Sequence, residues 1–255
     1  MAKAIRIAVL LFVLATVAVG AWQTRLRTQS WQRTLDVVVY PVNGDRRDTT
    51  AEYIGSLSNE SFDSIRGFMR REAEGYKLDL VTPVDVFLGP QVSTLPPAPP
   101  RGGSIAGIIV WSLKLRFWAW RNDDYPGTRP DIRIFAVFYD PATTRQVEHS
   151  IGLKEGLIGV ANVYAVNHMT EENNVIVAHE LLHTLGATDK YDPSTTQPLF
   201  PVGYADPEKT PLYPQKFAEI MAGRVPLSET ESDTPRNLEL AVVGRRTAEE
   251  IRWLR

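Results

Sequence analysis

The sequence predicts one domain of the α+β class, and three observations predict it. Segments rich in β-branched or alternating residues at 35–42, 131–140 and 156–166 read as strands. Apolar residues at helical spacing between 59 and 74, and an apolar, helix-forming segment that starts near Glu171 and runs through 175–185, read as two helices. From 190 to 216 the chain is rich in Asp, Pro, Tyr and Thr and shows no period, so it predicts a long ordered loop. Beyond residues 1–30 about 225 residues remain, enough for one sizeable core.

Lys3 and Arg6 precede an uncharged run from Ile7 to Trp22, 16 residues long. That is short of the roughly 20 residues a spanning helix needs. A basic start with a short apolar core has the form of a secretory signal, with small residues Val19-Gly20-Ala21 for cleavage. Extension through Gln23 and Thr24, with Trp22 at the interface, would instead make an uncleaved transmembrane anchor. Both readings of residues 1–22 place the remainder outside the cytoplasm, either secreted or anchored in the cytoplasmic membrane and facing outward. Residues 23–33 form a polar connector, and 34–255 the domain.

Leu35 to Val42 is the first strand, closed by Asn43-Gly44-Asp45. Ile65, Phe68 and Met69 give the helix around 59–74 its apolar face. Asp85 to Leu88 is a second strand, and 95–103 a Pro/Gly-rich loop. The long apolar segment Ser104 to Trp120 predicts a central strand over 105–115. Its aromatic cluster Phe117, Trp118 and Trp120 suits core and strand-end packing more than a substrate cleft or lipid headgroups. The acidic loop Asn122-Asp123-Asp124 reads as solvated rather than as a calcium site. Asp131 to Asp140 and Gly156 to Val166 are the next strands. Thr170 is the candidate cap of the following helix, with Glu171 and Glu172 in its first turn. Thr247 to Leu254, with Thr247 as cap, is a short terminal helix.

Within 175–192, VIVAHELLHTLGATDKYD, His179 and His183 stand at i and i+4 on one helical face with Glu180 between them. Both imidazoles can reach one zinc ion, and Glu180 can reach a water held by it. A chance H-E-x-x-H in a chain of this composition is on the order of 0.4%, so the motif dominates the functional reading. A catalytic zinc site uses three protein ligands and one water, so one ligand is still missing. Gly186 tolerates a left-handed conformation, ends the helix and can turn Asp189 back toward the metal. Asp192, Glu219 and Tyr191 are rival oxygen ligands, although Tyr191 better suits packing or hydrogen bonding beside the site. His149 and His168 read as loop histidines.

H-E-x-x-H-x-x-G-x-x-D resembles the metzincin-type zinc peptidases, in the variant with Asp as third ligand, as in snapalysin-like small bacterial peptidases. The resemblance covers 175–192 firmly and 217–226 loosely. It implies a zincin-like fold: a twisted mixed β-sheet with a backing helix and an active-site helix on one side, over an irregular C-terminal subdomain with a Met-turn and a terminal helix. It also implies Zn2+ held by His179, His183 and Asp189, Glu180 as general base, and Met221 in the Met-turn beneath the metal. The strand near 157–164 would be the antiparallel edge of the cleft, where an extended substrate could add as one more strand.

Net charge −2 and pI about 6.1 leave no nucleic-acid footprint. The absence of Cys excludes disulfides, thiolate zinc ligands and Cys nucleophiles. The expected function is zinc-dependent hydrolysis of peptide bonds, as a metalloendopeptidase, with a peptide or protein substrate and the membrane as a partner through the N-terminal segment. The alternative is a membrane-anchored zincin-like domain that binds or signals without turnover. Glu180 favours hydrolysis, because without a general base only metal binding would remain.

Overall fold

The computed structural model describes residue 6 and residues 28–100, 104–147 and 150–254. Its centre is a five-stranded mixed sheet built from Leu35–Asn43 (β1), Val84–Leu88 (β2), Ile132–Tyr139 (β3), Ile151–Leu153 (β4) and Ile158–Tyr164 (β5). The spatial order is β2-β1-β3-β5-β4. The first four strands in that order run parallel, and β4 pairs antiparallel with β5. Helices cover both faces, so the inner strands are apolar on both sides.

Alternate residues of β1 and β3 sort into two cores. Leu35, Val37, Val39, Ile132, Ile134 and Phe138 face the larger one. It is closed by Asp48–Ser56 (α1), Asp63–Gly75 (α2), Thr170–Leu185 (α4) and the C-terminal segment. Val38, Tyr40, Phe135 and Val137 face the smaller one, under Ile105–Arg121 (α3). Tyr40 stacks on Phe135 at 5.2 Å, and Trp118 meets the other side of that cluster at 4.5 Å from Phe135.

The mixed sheet and most of its strands match expectation, and four local expectations are corrected. Residues 105–121 form helix α3, not a central strand. Ser104 caps it, accepting from the Gly107 amide at 3.1 Å. Trp111, Leu115, Trp118 and Ala119 recur at helical spacing on its inner side. β5 is an interior parallel strand, and the edge is the three-residue β4, because β3 and β4 occupy its two sides. Thr170 is the first residue of α4 rather than its cap, and its hydroxyl pairs with the Tyr53 hydroxyl at 3.0 Å. The terminal helix, Arg245–Glu250 (α5), starts two residues early, because Thr247 gives its hydroxyl to Glu219 at 2.6 Å instead of capping.

The polar connector is in part structural: Thr28 and Gln29 are buried, and Trp31 donates to the Ile251 carbonyl at 2.7 Å. Asp123 is engaged by Arg133 at 2.5 Å and by the Tyr40 hydroxyl, which ties it into the fold, while Asp124 beside it is exposed. The transmembrane helix is also corrected: among the described residues no helix is long and apolar enough to cross a membrane. The segment 1–22 to which it was assigned lies outside the described residues, Arg6 excepted.

Candidate metal centre

Helix α4 is fastened before it reaches its histidines. Asn173 bridges the backbone of β5, accepting from the Tyr164 amide and donating to the Tyr164 carbonyl, and Asn174 donates to Ser61 and Ser64 beside α2. The helix ends at Gly186, whose φ of 106° is the left-handed conformation that glycine adopts without a side-chain penalty. The amides of Gly186 and Ala187 return to the carbonyls of His183 and Leu182 at 3.0 Å each, closing the helix and reversing the chain.

That reversal brings Asp189 onto the two histidines. Its Oδ1 lies 3.2 Å from His179 Nε2 and 3.1 Å from His183 Nε2. The imidazole centroids are 4.7 Å apart, with their planes at 82°. Each Nδ1 faces a backbone carbonyl at 2.9 Å, Ile220 for His179 and Ala187 for His183. A carbonyl only accepts, so each Nδ1 donates and each neutral ring keeps its lone pair on Nε2. Two ligands on a tetrahedral ion with bonds near 2 Å stand about 3.3 Å apart. Asp189 Oδ1 already stands at that spacing from both Nε2 atoms, and the donor chemistry, two imidazole nitrogens and a carboxylate, suits Zn2+. His179, Glu180 and His183 also bring ligand atoms within 4.8 Å of one another. Asp189, with one oxygen within 3.2 Å of both Nε2 atoms, stands where a third donor would sit, and Glu180 lies beside it.

Glu180 is 3% exposed, and its Oε2 has no hydrogen-bond partner among the described residues. Burial pushes its carboxyl up, the two histidines partly oppose this, Asp189 adds to it, and the balance is about 7. Burial pulls His179 down, but Asp189, Glu180 and the Ile220 carbonyl push it up to about 9. Burial raises Asp189, yet its bonds to His179 and His183 hold it well below the usual carboxylate range.

A metal must displace the His179 proton. The affinity of the chain for Zn2+ is therefore expected to rise about tenfold per pH unit between pH 7 and 9 and to level off above. Competition titration against a chelator of known proton dependence measures it. A flat profile over this range would contradict a protonated His179 in the metal-free chain.

Two of the three rival ligands are engaged elsewhere. Asp192 accepts from Ser194 and Thr195 in an exposed turn. Glu219 is fully buried, with its carboxylate bonded to the Ala222 and Gly244 amides and the Thr247 hydroxyl. Tyr191 stays at the site: it lines the same cavity as His179 and Glu180, and its pKa is raised by burial and then by Asp189 and Glu180. His168 is exposed in a short helical turn before α4, and His149 lies outside the described residues.

Met221 is fully buried in a tight turn. The Glu219 carbonyl accepts from both Ala222 and Gly223, and Gly223 adopts a φ of 69°. Within this turn the Ile220 carbonyl meets His179, and the Met221 carbonyl accepts from the Lys190 amide beside Asp189. The turn thus holds His179 and the loop that carries Asp189 together.

A cavity of about 370 Å3 opens beside Glu180, walled by Val175 and Ile176 of α4, by Ile220, Tyr191 and Arg224, and by Ser150 and Asn162. The sequence did not single out β4. Gly152 turns its bare Cα onto α4, where a Cβ would fall 2.3 Å from the His183 Cβ and 3.0 Å from the Glu180 carbonyl. Glycine is what permits that approach, and a glycine between two apolar residues was the only signal for it. Lys190 was also missed. It is 3% exposed and donates to Glu250 of α5 at 2.7 Å, while the Thr188 amide and hydroxyl reach the same carboxylate. No protein-family model matches the chain, and no curated protein matches it.

Proposed function

We propose that the chain is a zinc-dependent peptidase with a zincin-like fold, acting outside the cytoplasm on extended peptide segments. One observation carries the reading: the Asp189 carboxylate lies 3.2 and 3.1 Å from the Nε2 atoms of His179 and His183, with Glu180, whose Oε2 has no hydrogen-bond partner among the described residues, beside them at a cavity. His179, His183 and Asp189 would hold the ion and leave a fourth position open. When bound, zinc lowers the pKa of a water to about 7 and polarises the carbonyl to be cleaved.

The chain supplies the rest. Glu180, with a carboxyl near pH 7, accepts the proton of the attacking water and returns it to the departing amine. The carbonyls of Ile220 and Ala187 keep both imidazoles in the tautomer that presents Nε2. The outer side of β4 is the sheet edge nearest the histidines, and an extended peptide can add to it by main-chain hydrogen bonds. The Met221 turn serves as the floor that orients His179.

Metal analysis of the purified chain beside digestion of a peptide library tests this reading. One zinc per chain and chelator-sensitive cleavage are expected. Asp189→Ala is expected to lower zinc content well below one per chain and to weaken affinity by about 10- to 100-fold or more. Undiminished cleavage by metal-stripped protein, or full zinc content in Asp189→Ala, would remove the assignment or move the third ligand.

A further inference from the structure

Helix α3 presents an apolar face to solvent. Ile105, Leu113, Phe117 and Trp120 are 77%, 59%, 60% and 68% exposed, and Ile109 lies between them. At about 100° per residue these side chains share one stripe opposite Leu115 and Ala119, which face the sheet. Phe117 and Trp120 rest against each other at 5.8 Å, so the stripe is continuous at its C-terminal end. Seventeen residues span about 25 Å, and a continuous apolar strip of that length on a monomer marks a contact surface.

The charges select what covers it. Residues 105–121 carry Lys114, Arg116 and Arg121 and no acidic side chain. By the same helical spacing, Lys114 and Arg121 border the stripe along its Phe117 side, whereas Arg116 is half-buried, with its side chain turned toward Gly156 and its Nε out of solvent. A second copy docked helix to helix would set these cations against their equals. An anionic bilayer complements them, accepts Trp and Phe at headgroup depth, and lets Lys and Arg stems reach outward to phosphate. We propose that this face of α3 lies flat on an anionic lipid surface, with Leu113, Phe117 and Trp120 below the headgroups and the exposed Lys114 and Arg121 paired with lipid phosphates.

Sedimentation with vesicles cannot test this, because the uncharged run 7–22 is itself apolar. A positional probe can, since the chain has no cysteine. Leu113→Cys and Phe117→Cys in the full chain, each labelled with one environment-sensitive dye, are compared with Glu52→Cys on α1, across the sheet from α3. All three positions are exposed, so the core is untouched and circular dichroism should match the parent. On phosphatidylglycerol/phosphatidylcholine vesicles the dyes at 113 and 117 are expected to brighten about threefold or more and to be quenched by acyl-chain nitroxides, with no change at 52. Pure phosphatidylcholine should give a much weaker response.

Four results would overturn the proposal. The dyes at 113 and 117 could stay in water while the protein is vesicle-bound. They could respond equally to pure phosphatidylcholine. They could be shielded without vesicles in proportion to protein concentration, which would point to a second copy. They could be shielded without vesicles at every concentration, which would point to a segment of the same chain.

Discussion

Glu180→Gln is expected to keep its zinc and lose about 10²- to 10⁴-fold of its hydrolytic rate, the usual contribution of a positioned general base. The amide matches the carboxylate in shape but cannot accept the water proton. Metal content should hold because the three donors, His179, His183 and Asp189, are unchanged. Stability supplies a second readout. A carboxyl whose folded pKa is raised from 4.5 to about 7 stabilises the fold fully only below about pH 4.5, and that contribution is lost as the pH rises through 7. Above pH 7 the wild type carries a buried charge that Gln lacks. The metal-free variant should therefore melt no lower than the metal-free wild type there, and higher if anything. Zinc stoichiometry, cleavage of a peptide library and a thermal melt at pH 8 check the set together. Unreduced turnover would end the role of Glu180 as base.

Glu250→Ala is expected to cost about 3–5 kcal/mol of stability, the penalty for stranding one partner of a buried ion pair. Lys190 is 3% exposed, and without Glu250 the hydrogen bonds its ammonium keeps among the described residues are those to the Thr188 carbonyl and hydroxyl. The Thr188 amide also loses its acceptor. Because Thr188 and Lys190 flank Asp189, zinc occupancy should fall with stability. Glu250→Ala combined with Lys190→Met should recover much of the stability by removing the stranded charge, while the Thr188 amide stays unpaired. Denaturant unfolding of the two variants measures this. A loss under about 1 kcal/mol would show that Lys190 reaches water when Glu250 is gone. Burial raises the Glu250 carboxyl, but Lys190 and Thr188 lower it further. Its contribution is accordingly present above the ordinary Glu range and is lost as the pH falls through its depressed folded value.

The parts of the site that were legible in the sequence are the local ones. His179 and His183 share a helical face by spacing alone, and Gly186 announces the left-handed turn that returns Asp189. The parts that were not legible depend on distant partners. Lys190 and Glu250 meet across 60 residues. Thr247 has the look of a cap until Glu219 is seen to take its hydroxyl. Three residues, Ile151-Gly152-Leu153, are too few to show a period, so the edge strand was assigned one strand too late. Residues 105–121 misled for a different reason. Residues 105–111 carry no polar side chain to reveal a period, Ser112, Lys114 and Arg116 then alternate as in a strand, and α3 keeps its outward side apolar as well.

Gly152 sets a limit on how the sheet edge can shift. Side chains alternate along a strand, so a slip of one residue would drive Ile151 or Leu153 into the space now shared with the His183 Cβ. The alignment of this edge is therefore locked by the same helix that carries the imidazoles, with no loop between them to absorb play. A peptide laid along it would inherit that alignment through its main chain. Which of its amide links comes to rest at the reactive centre would then be decided by backbone geometry before any of its side chains is read.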